Sequence, residues 1–221
     1  MGWRRRIFWY WLLFSGLSLG GYARAAEDPR ALYEDGLRAL EGQHLAQAEQ
    51  AFERCLELDS TFYEAYISLA RLQLSKNSLG RADSLLAQAM RQQPGRIEAP
   101  FEYSKSLSRQ GRLEEAYAQL SKVVELDPRT GAAYMGMGYL RMEPNQMLDL
   151  QEAAAMFARA QALEPDNLEA VFALSNVRLR QGDQQAAIAA FQDIVAQKPE
   201  HFFARYQLGM AFYLKGAYPA A

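Results

Sequence analysis

The sequence predicts an all-α protein, a solenoid of stacked helix-turn-helix units. Six alanines, Ala48, Ala82, Ala116, Ala153, Ala187 and Ala221, recur at intervals of 34, 34, 37, 34 and 34 residues, and a strict long period marks one supersecondary unit copied end to end. Pro94, Pro128, Pro165 and Pro199 keep the same beat. Each interval contains two stretches whose apolar residues fall three and four apart, the spacing of one face of a helix.

Registering the chain on the alanines gives repeats at 29–62, 63–96, 97–130, 131–167 and 168–201 and a partial repeat at 202–221. In the third, Ile97, Phe101, Ser104 and Leu107 mark a first helix, and Leu113, Ala116, Leu120 and Val123 a second. Gly111-Arg112 separates them, because glycine takes the positive φ of a helix end without a Cβ clash. The second helices close in Leu-Asp-Ser, Gln-Gln-Pro, Leu-Asp-Pro, Leu-Glu-Pro and Gln-Lys-Pro; proline disfavours helical geometry in the residue before it. The one longer interval holds a three-residue insertion within Arg141–Leu150, where Pro144 and Asn145 are expected to end a first helix and form an exposed bulge.

The second helices read Ala48…Phe52…Cys55, Ala82…Leu86…Ala89, Ala116…Leu120…Val123, Ala153…Phe157…Ala160 and Ala187…Phe191…Ile194. The first helices carry Met137-Gly138 and Leu208-Gly209, with Ala70, Ser104 or Ser175 as the small residue elsewhere. These positions resemble the tetratricopeptide repeat, whose first helix has Leu-Gly then Tyr and whose second has Ala, Phe and Ala before a closing proline. The resemblance covers nearly all of residues 29–221 and implies a right-handed superhelical arc with the first helices on its inner face. Small residues let the two helices of a hairpin approach closely, and since no hairpin buries its apolar stripe alone, stability comes from stacking onto the next copy. Three positions depart from the pattern: Asp35 in place of Leu, Arg205 in place of a large apolar residue, and Pro100 in a first helical turn, where early N–H groups have no helical partner to lose.

The amino terminus is different. Arg4, Arg5 and Arg6 precede an apolar run from Ile7 to about Gly21, followed by Ala23-Arg24-Ala25. That order is a signal peptide over residues 1–25 with cleavage after Ala25; the alternative is an uncleaved inner-membrane anchor over residues 7–23. The protein is therefore expected to be exported, to the periplasm if the resemblance to exported members holds. Removing residues 1–25 leaves 20 basic residues against 26 acidic ones, so the mature chain lacks the positive field on which nucleic-acid binding relies. The single cysteine, Cys55, excludes an intramolecular disulfide and is read as a buried alanine substitute.

No catalytic, cofactor or metal constellation is legible. Gly136-Met-Gly138 lies inside a first helix without a strand or following lysine, so it reads as packing. His44 and His201 fall at separate turns without neighbours at ligand spacing. Glu114-Glu115 are adjacent on a helix and point apart, as on a solvated face.

What remains is a recognition surface. The resemblance implies that positions two, five, six, nine, twelve and thirteen of each repeat face the groove, giving Tyr33, Arg71, Phe101, Lys105, Arg109, Met135, Tyr139, Phe172, Asn176, Arg180, Tyr206, Met210 and Tyr213 as the candidate partner-binding set. Aromatic, Met and Arg side chains are the stuff of binding hot spots. Core packing is an equal alternative for the fifth positions, which include Tyr33, Phe101, Met135, Phe172 and Tyr206. The relatives that clamp a chaperone's terminal carboxylate use basic and Asn residues where this chain has Tyr33, Leu37, Ser68, Glu98 and Glu102, which disfavours that ligand. Arg71 and Lys105, on successive repeats, could attract an acidic segment or an anionic polymer. The expected partner is a protein or peptide segment, with polysaccharide as a further option. The expected role is a non-enzymatic scaffold in assembly or maintenance of a bacterial cell-envelope complex. The alternative is the front part of a longer protein for polysaccharide export or secretion, or of an enzyme, because Ala221 falls early in a second helix.

Overall fold

A computed structural model of the chain describes residues 28–143 and 149–216. The expectations for residues 1–25, for Pro144 and Asn145 and for Ala221 lie outside these residues. Among those described, eleven helices follow one another: α1 (Pro29–Glu41), α2 (Leu45–Leu58), α3 (Tyr63–Ser75), α4 (Leu79–Gln92), α5 (Glu98–Arg109), α6 (Leu113–Leu126), α7 (Gly131–Leu140), α8 (Leu150–Leu163), α9 (Leu168–Arg180), α10 (Gln184–Gln197) and α11 (Phe202–Leu214). The fold is all-helical and the helices pack in sequential pairs. None of the described helices is long and apolar enough to cross a membrane. The residues fall into two compact units, one ending at Leu69 and the other starting at Ala70, so the division lies within α3.

The hairpin turns are one motif repeated. Positive φ recurs at Gln43 (57°), Asn77 (57°), Gly111 (74°), Gly182 (88°) and Gly216 (72°). At four of these turns the next residue's N–H reaches five residues back: His44 to the Ala39 carbonyl, Ser78 to Gln73, Arg112 to Leu107 and Asp183 to Arg178, at 2.8–2.9 Å. This is the Schellman closure, which satisfies carbonyls that a helix end would otherwise orphan. Glycine supplies it without strain; Gln43 and Asn77 supply it at the steric cost of a Cβ in the left-handed region.

The second helices all end on an extended residue: Asp59, Gln93, Asp127, Glu164 and Lys198 have φ between −132° and −139° and ψ between 77° and 95°. In four cases proline follows and enforces this. Asp59 adopts the same backbone before Ser60, held instead by its carboxylate, which accepts from the Thr61 N–H (2.9 Å) and hydroxyl (2.6 Å). Side chains cap several helix starts: Asp28, Asp149, Asn167 and Asp183 accept from backbone N–H groups of the first turn.

In the first unit α1 packs on α2, whose Ala48, Phe52 and Cys55 are fully buried. Gly36 sits against the Phe52 ring, and a side chain there would collide with it. Burial of the Cys55 thiol, aided by the nearby Asp59 and Asp28 carboxylates, pushes its pKa up to about 11. A thiol so held is a core side chain and not a nucleophile.

In the second unit each helix from α4 to α11 packs on the next. The seam is the expected one: Ala82, Leu86, Ala89, Ala116, Leu120, Val123, Ala153, Phe157, Ala160, Ala187, Phe191 and Ile194 are all buried. A Cβ on Gly138 would lie 2.6 Å from the Phe157 ring, and one on Gly136 2.9 Å from Leu120 Cδ1. These two glycines are thus there for close helix approach, as their context within a first helix indicated. Ser104 and Ser175 fill equivalent small positions and return their hydroxyls to the helix at Phe101 O (2.6 Å) and Val171 O (2.7 Å). Pro100 is buried as the third residue of α5, while Arg205 is exposed on α11 and Asp35 is exposed on α1, paired with Arg38.

Polar links tie successive copies together in this unit. The residue after each first helix reaches the preceding repeat: Gln110 Nε2 to Asp83 Oδ2 (2.8 Å), Gln181 Nε2 to Leu150 O (3.0 Å) and Lys215 Nζ to Gln185 Oε1 (2.9 Å). Between α6 and α8 the Tyr117 hydroxyl donates to Glu152, whose other oxygen lies 2.5 Å from Arg141 Nε. The Arg141 guanidinium lies 4.2 Å from the centre of the Tyr117 ring. Burial and the Glu152 carboxylate push the Tyr117 phenol up to about 12.

Candidate functional site

The first helices of the second unit, α5, α7, α9 and α11, build two clefts. One, of about 460 Å³, is lined from α5 by Phe101, Ser104, Lys105, Ser108 and Arg109, from α6 by Leu120, from α7 by Ala132, Met135, Gly136, Tyr139 and Leu140, and by Glu143. The other, of about 300 Å³, is lined by Tyr139, Met142, Phe172, Ala173, Asn176, Leu179, Arg180 and Gln207. Tyr139 borders both. Eight of the thirteen candidate residues are thereby brought together: Phe101, Lys105, Arg109, Met135, Tyr139, Phe172, Asn176 and Arg180. Tyr33 lines a separate cleft in the first unit with Arg30, Glu34, Leu37, Phe62 and Glu64. Arg71 lies on α3, and Tyr206, Met210 and Tyr213 are exposed on α11; none of these four lines the clefts just described.

The fifth and ninth positions separate. Met135, at a fifth position, is only 9 % exposed and belongs to the apolar cluster around Phe157 and Leu174. It packs in the core and shows an edge to the cleft, so at this fifth position packing and groove coincide. Tyr33, Phe101 and Phe172 are half-buried and Tyr206 exposed. Phe172 stands between Phe191 (5.8 Å between ring centres) and His201 (5.3 Å). At the ninth positions Arg71, Lys105, Tyr139 and Met210 are exposed and Asn176 is half-buried.

Electrostatics revise the Arg71–Lys105 pair. Glu102 is buried beneath both: its Oε1 accepts from Arg71 Nε at 2.8 Å and Lys105 Nζ at 3.2 Å, and its Oε2 lies 3.1 Å from Lys105. One internal carboxylate is shared by the two cations and compensates one of their two charges, so the pair is less open to an anion than the spacing implied. Lys105 is instead fixed in place, its Nζ also 4.5 Å from the centre of the Phe101 ring. Arg109 differs, donating from Nη1 to the Leu74 backbone carbonyl at 2.7 Å, a neutral partner at a helix C-terminus.

Tyr139 is 43 % exposed and is held from two sides. Its ring packs edge-on to Phe157 at 5.1 Å, and its hydroxyl donates to Glu169 Oε1 at 2.5 Å. Burial of the hydroxyl, with the Glu169 carboxylate beside it, raises the phenol pKa well above its ordinary value. The residue therefore presents a fixed aromatic face. The Asn176 Oδ1, enclosed at the second cleft, accepts no hydrogen bond from the described residues.

Ser108 and Gln207 were missed, although both occupy repeat positions that the resemblance assigns to the groove, the twelfth and the sixth. Glu143 and Leu120 carried no such signal. His201 is more than a turn residue: its Nδ1 accepts from the Ala204 N–H at 3.1 Å and caps α11. His44 is exposed, and Glu114 and Glu115 lie on solvent, with Glu115 bonded to Arg112. Among the described residues no catalytic domain is present.

Two tetratricopeptide repeat profiles match the chain, one at residues 146–202 and 185–221 and another at 99–130. The chain is 26 % identical over 183 residues to the cellulose synthase operon protein C of Xanthomonas axonopodis pv. citri, covering 79 % of this chain and 12 % of that protein. It is 26 % identical over 157 residues to the mitochondrial import receptor subunit TOM70 of Saccharomyces cerevisiae, covering 68 % of this chain and 25 % of that one. The chain thus spans a quarter or less of these curated relatives. Its fold is similar to that of YrrB, a TPR protein with an unusual peptide-binding site, with a TM-score of 0.65 at 18 % identity, covering 83 % of this chain and 93 % of YrrB. With the repeated turn, the buried seam and these matches in agreement, the chain is a member of the tetratricopeptide repeat family.

Proposed function

We propose that this chain is an exported scaffold that holds a segment of a partner protein across the clefts of α5, α7 and α9, in the assembly or maintenance of a bacterial cell-envelope complex. The observation that carries the reading is the convergence of seven candidate groove side chains, with an edge of the packed Met135, on two adjoining clefts that share Tyr139. Large aromatic faces held rigid in advance bind with little ordering cost. The likeness to YrrB, described as having a peptide-binding site, supports a peptide as the occupant. Export rests on the order of basic, apolar and Ala-x-Ala segments in residues 1–25.

The test is photo-crosslinking in envelope fractions from a photoreactive amino acid placed at Met142, beside Tyr139 in the second cleft. A discrete envelope protein crosslinked through one segment is expected, and the double variant Tyr139→Ala, Phe172→Ala should reduce the yield at least tenfold, the scale of losing aromatic hot spots. Equal crosslinking with and without the two rings would refute the site. A protein found wholly in the cytosol by fractionation would refute export.

A second reading is favoured by the match to the cellulose synthase operon protein C, of which this chain covers 12 %: the repeats are the front part of a longer protein of polysaccharide export or secretion. Retention on polysaccharide affinity gels, lost in the same double variant, would support polymer binding at the clefts.

A further inference from the structure

Resting on the reading of the clefts as a peptide site, we infer the chemistry of the occupant: an extended segment with one large apolar side chain bracketed by acidic residues. Of the four charged side chains that line the two clefts, three are cations, Lys105, Arg109 and Arg180, against the single acid Glu143. Two further carboxylates stand directly behind the lining, Glu102 on Lys105 and Glu169 on the Tyr139 hydroxyl, so the charge that faces an occupant is that of Arg109 and Arg180. Those two cations select a partner of complementary charge and reject a basic one.

The positions matter as much as the sign. Arg109 borders the first cleft and Arg180 the second, and Tyr139 lies on the boundary between them. Both arginines are exposed, and neither is bound to a carboxylate among the described residues; Arg109 bonds only the Leu74 carbonyl. Lys105 already shares Glu102 with Arg71, so it adds a fixed but half-compensated charge. Beside Arg109 the first cleft offers an apolar lining of Phe101, Leu120, Met135 and the Tyr139 ring, and Tyr139 continues it into the cleft of Arg180. A volume of about 460 Å³ accommodates one aromatic side chain with room for its backbone. Carboxylate–guanidinium pairs at both ends with an apolar anchor at the centre match the geometry of a hot spot ringed by polar contacts.

A random decapeptide display library selected on the full chain tests this. Wild type should enrich peptides with a large apolar residue flanked on both sides by Asp or Glu. Arg109→Glu should convert one flank to Lys or Arg, and Arg180→Glu, on the other cleft, should convert the other flank; the two reversals are independent, so a folding defect in one leaves the second informative. For a synthetic copy of the most enriched wild-type peptide, each reversal should weaken binding about tenfold, the worth of one exposed charge pair with good geometry. Peptides selected without acidic flanks, or with flanks unchanged by both reversals, would overturn the inference while leaving the peptide site intact. Selection unaffected by Tyr139→Ala with Phe172→Ala, or no selection at all, would overturn the peptide site and the inference together. Retention of polygalacturonate by wild type and its release by Arg109→Glu, with no peptide enriched, would assign the clefts to an anionic polysaccharide and overturn the inference as well.

Discussion

The seam of the second unit and its cleft-facing row obey opposite rules. Along the seam, second-helix residues such as Ala153, Phe157 and Ala160 are buried, and a buried Ala followed by a large apolar residue four positions on returns in every repeat. Along the row, the ninth positions run Lys105, Tyr139, Asn176 and Met210, mostly exposed and chemically unlike one another. The period is thus a packing requirement, since each copy must fit the next, whereas the freedom to vary belongs to side chains outside the buried seam, even where one of them, such as Tyr139, is tied by its tip to the next copy. Recognition in such a protein is written in the residues that break the repeat.

The largest test of this contrast is Phe157→Ala. The ring is fully buried against Gly138, so its loss should cost roughly 3–5 kcal/mol, read by urea denaturation followed by circular dichroism. Gly138→Ala sharpens it: in wild type the added Cβ meets the ring and should destabilise by about 1–3 kcal/mol. In the Phe157→Ala background the clash is gone and Ala's helix propensity, about 1 kcal/mol over Gly, should make the same change neutral or stabilising. A cost for Gly138→Ala that is equal in both backgrounds would disprove the close-approach account.

Cys55 occupies the seam in the first unit and offers a titration. Its pKa is 9.0 in an ordinary setting and about 11 in the fold. Below pH 9 both native and unfolded chains hold the proton. Between pH 9 and 11 the unfolded chain releases it first, so stability falls as pH rises through that window. Cys55→Ala should flatten this part of the stability–pH curve, and the wild-type thiol should resist alkylation at pH 8 until the chain is unfolded.

The turns give a smaller effect. Gly111→Ala places a Cβ at φ 74° and should cost about 1 kcal/mol. Gln43→Gly, at φ 57°, should be neutral or stabilising by a few tenths, strain relief offsetting the entropy of glycine. Smallest of all, Arg180→Ala on the exposed row should change stability by no more than about 0.5 kcal/mol, whatever it does to binding; a loss above about 2 kcal/mol would place Arg180 in the seam rule.

Periodicity made the helices and the seam legible. The alanine register led directly to Phe52, Phe157 and Phe191 as buried partners of small residues, because a helix face and its facing hole repeat in step. Glycine marked the turn at Gly111 but concealed the same turn at Gln43 and Asn77, where tertiary closure holds ordinary residues in a conformation that local preference disfavours. Proline marked four second-helix ends and concealed the fifth at Asp59. The candidate site was legible as a row of positions and not as a cleft. Met135 and Tyr139 occupy the fifth and ninth positions of one repeat; only packing around Phe157 decides that the first is core and the second surface.

The amino-acid sequence by itself determined the register of the described helical hairpins and the residues of their shared seam, since these follow from local periodicity and the size of side chains. Only the tertiary structure decided that Glu102 lies beneath Arg71 and Lys105, that Tyr117, Arg141 and Glu152 interlock, and that Tyr139 is fixed by Glu169. Of those pairings, Arg71–Glu102, Tyr117–Glu152 and Tyr139–Glu169 join residues 30 to 35 positions apart through the stacking of one copy on the next. Their geometry depends on how closely particular side chains let the helices approach, a three-dimensional quantity that no one-dimensional spacing encodes.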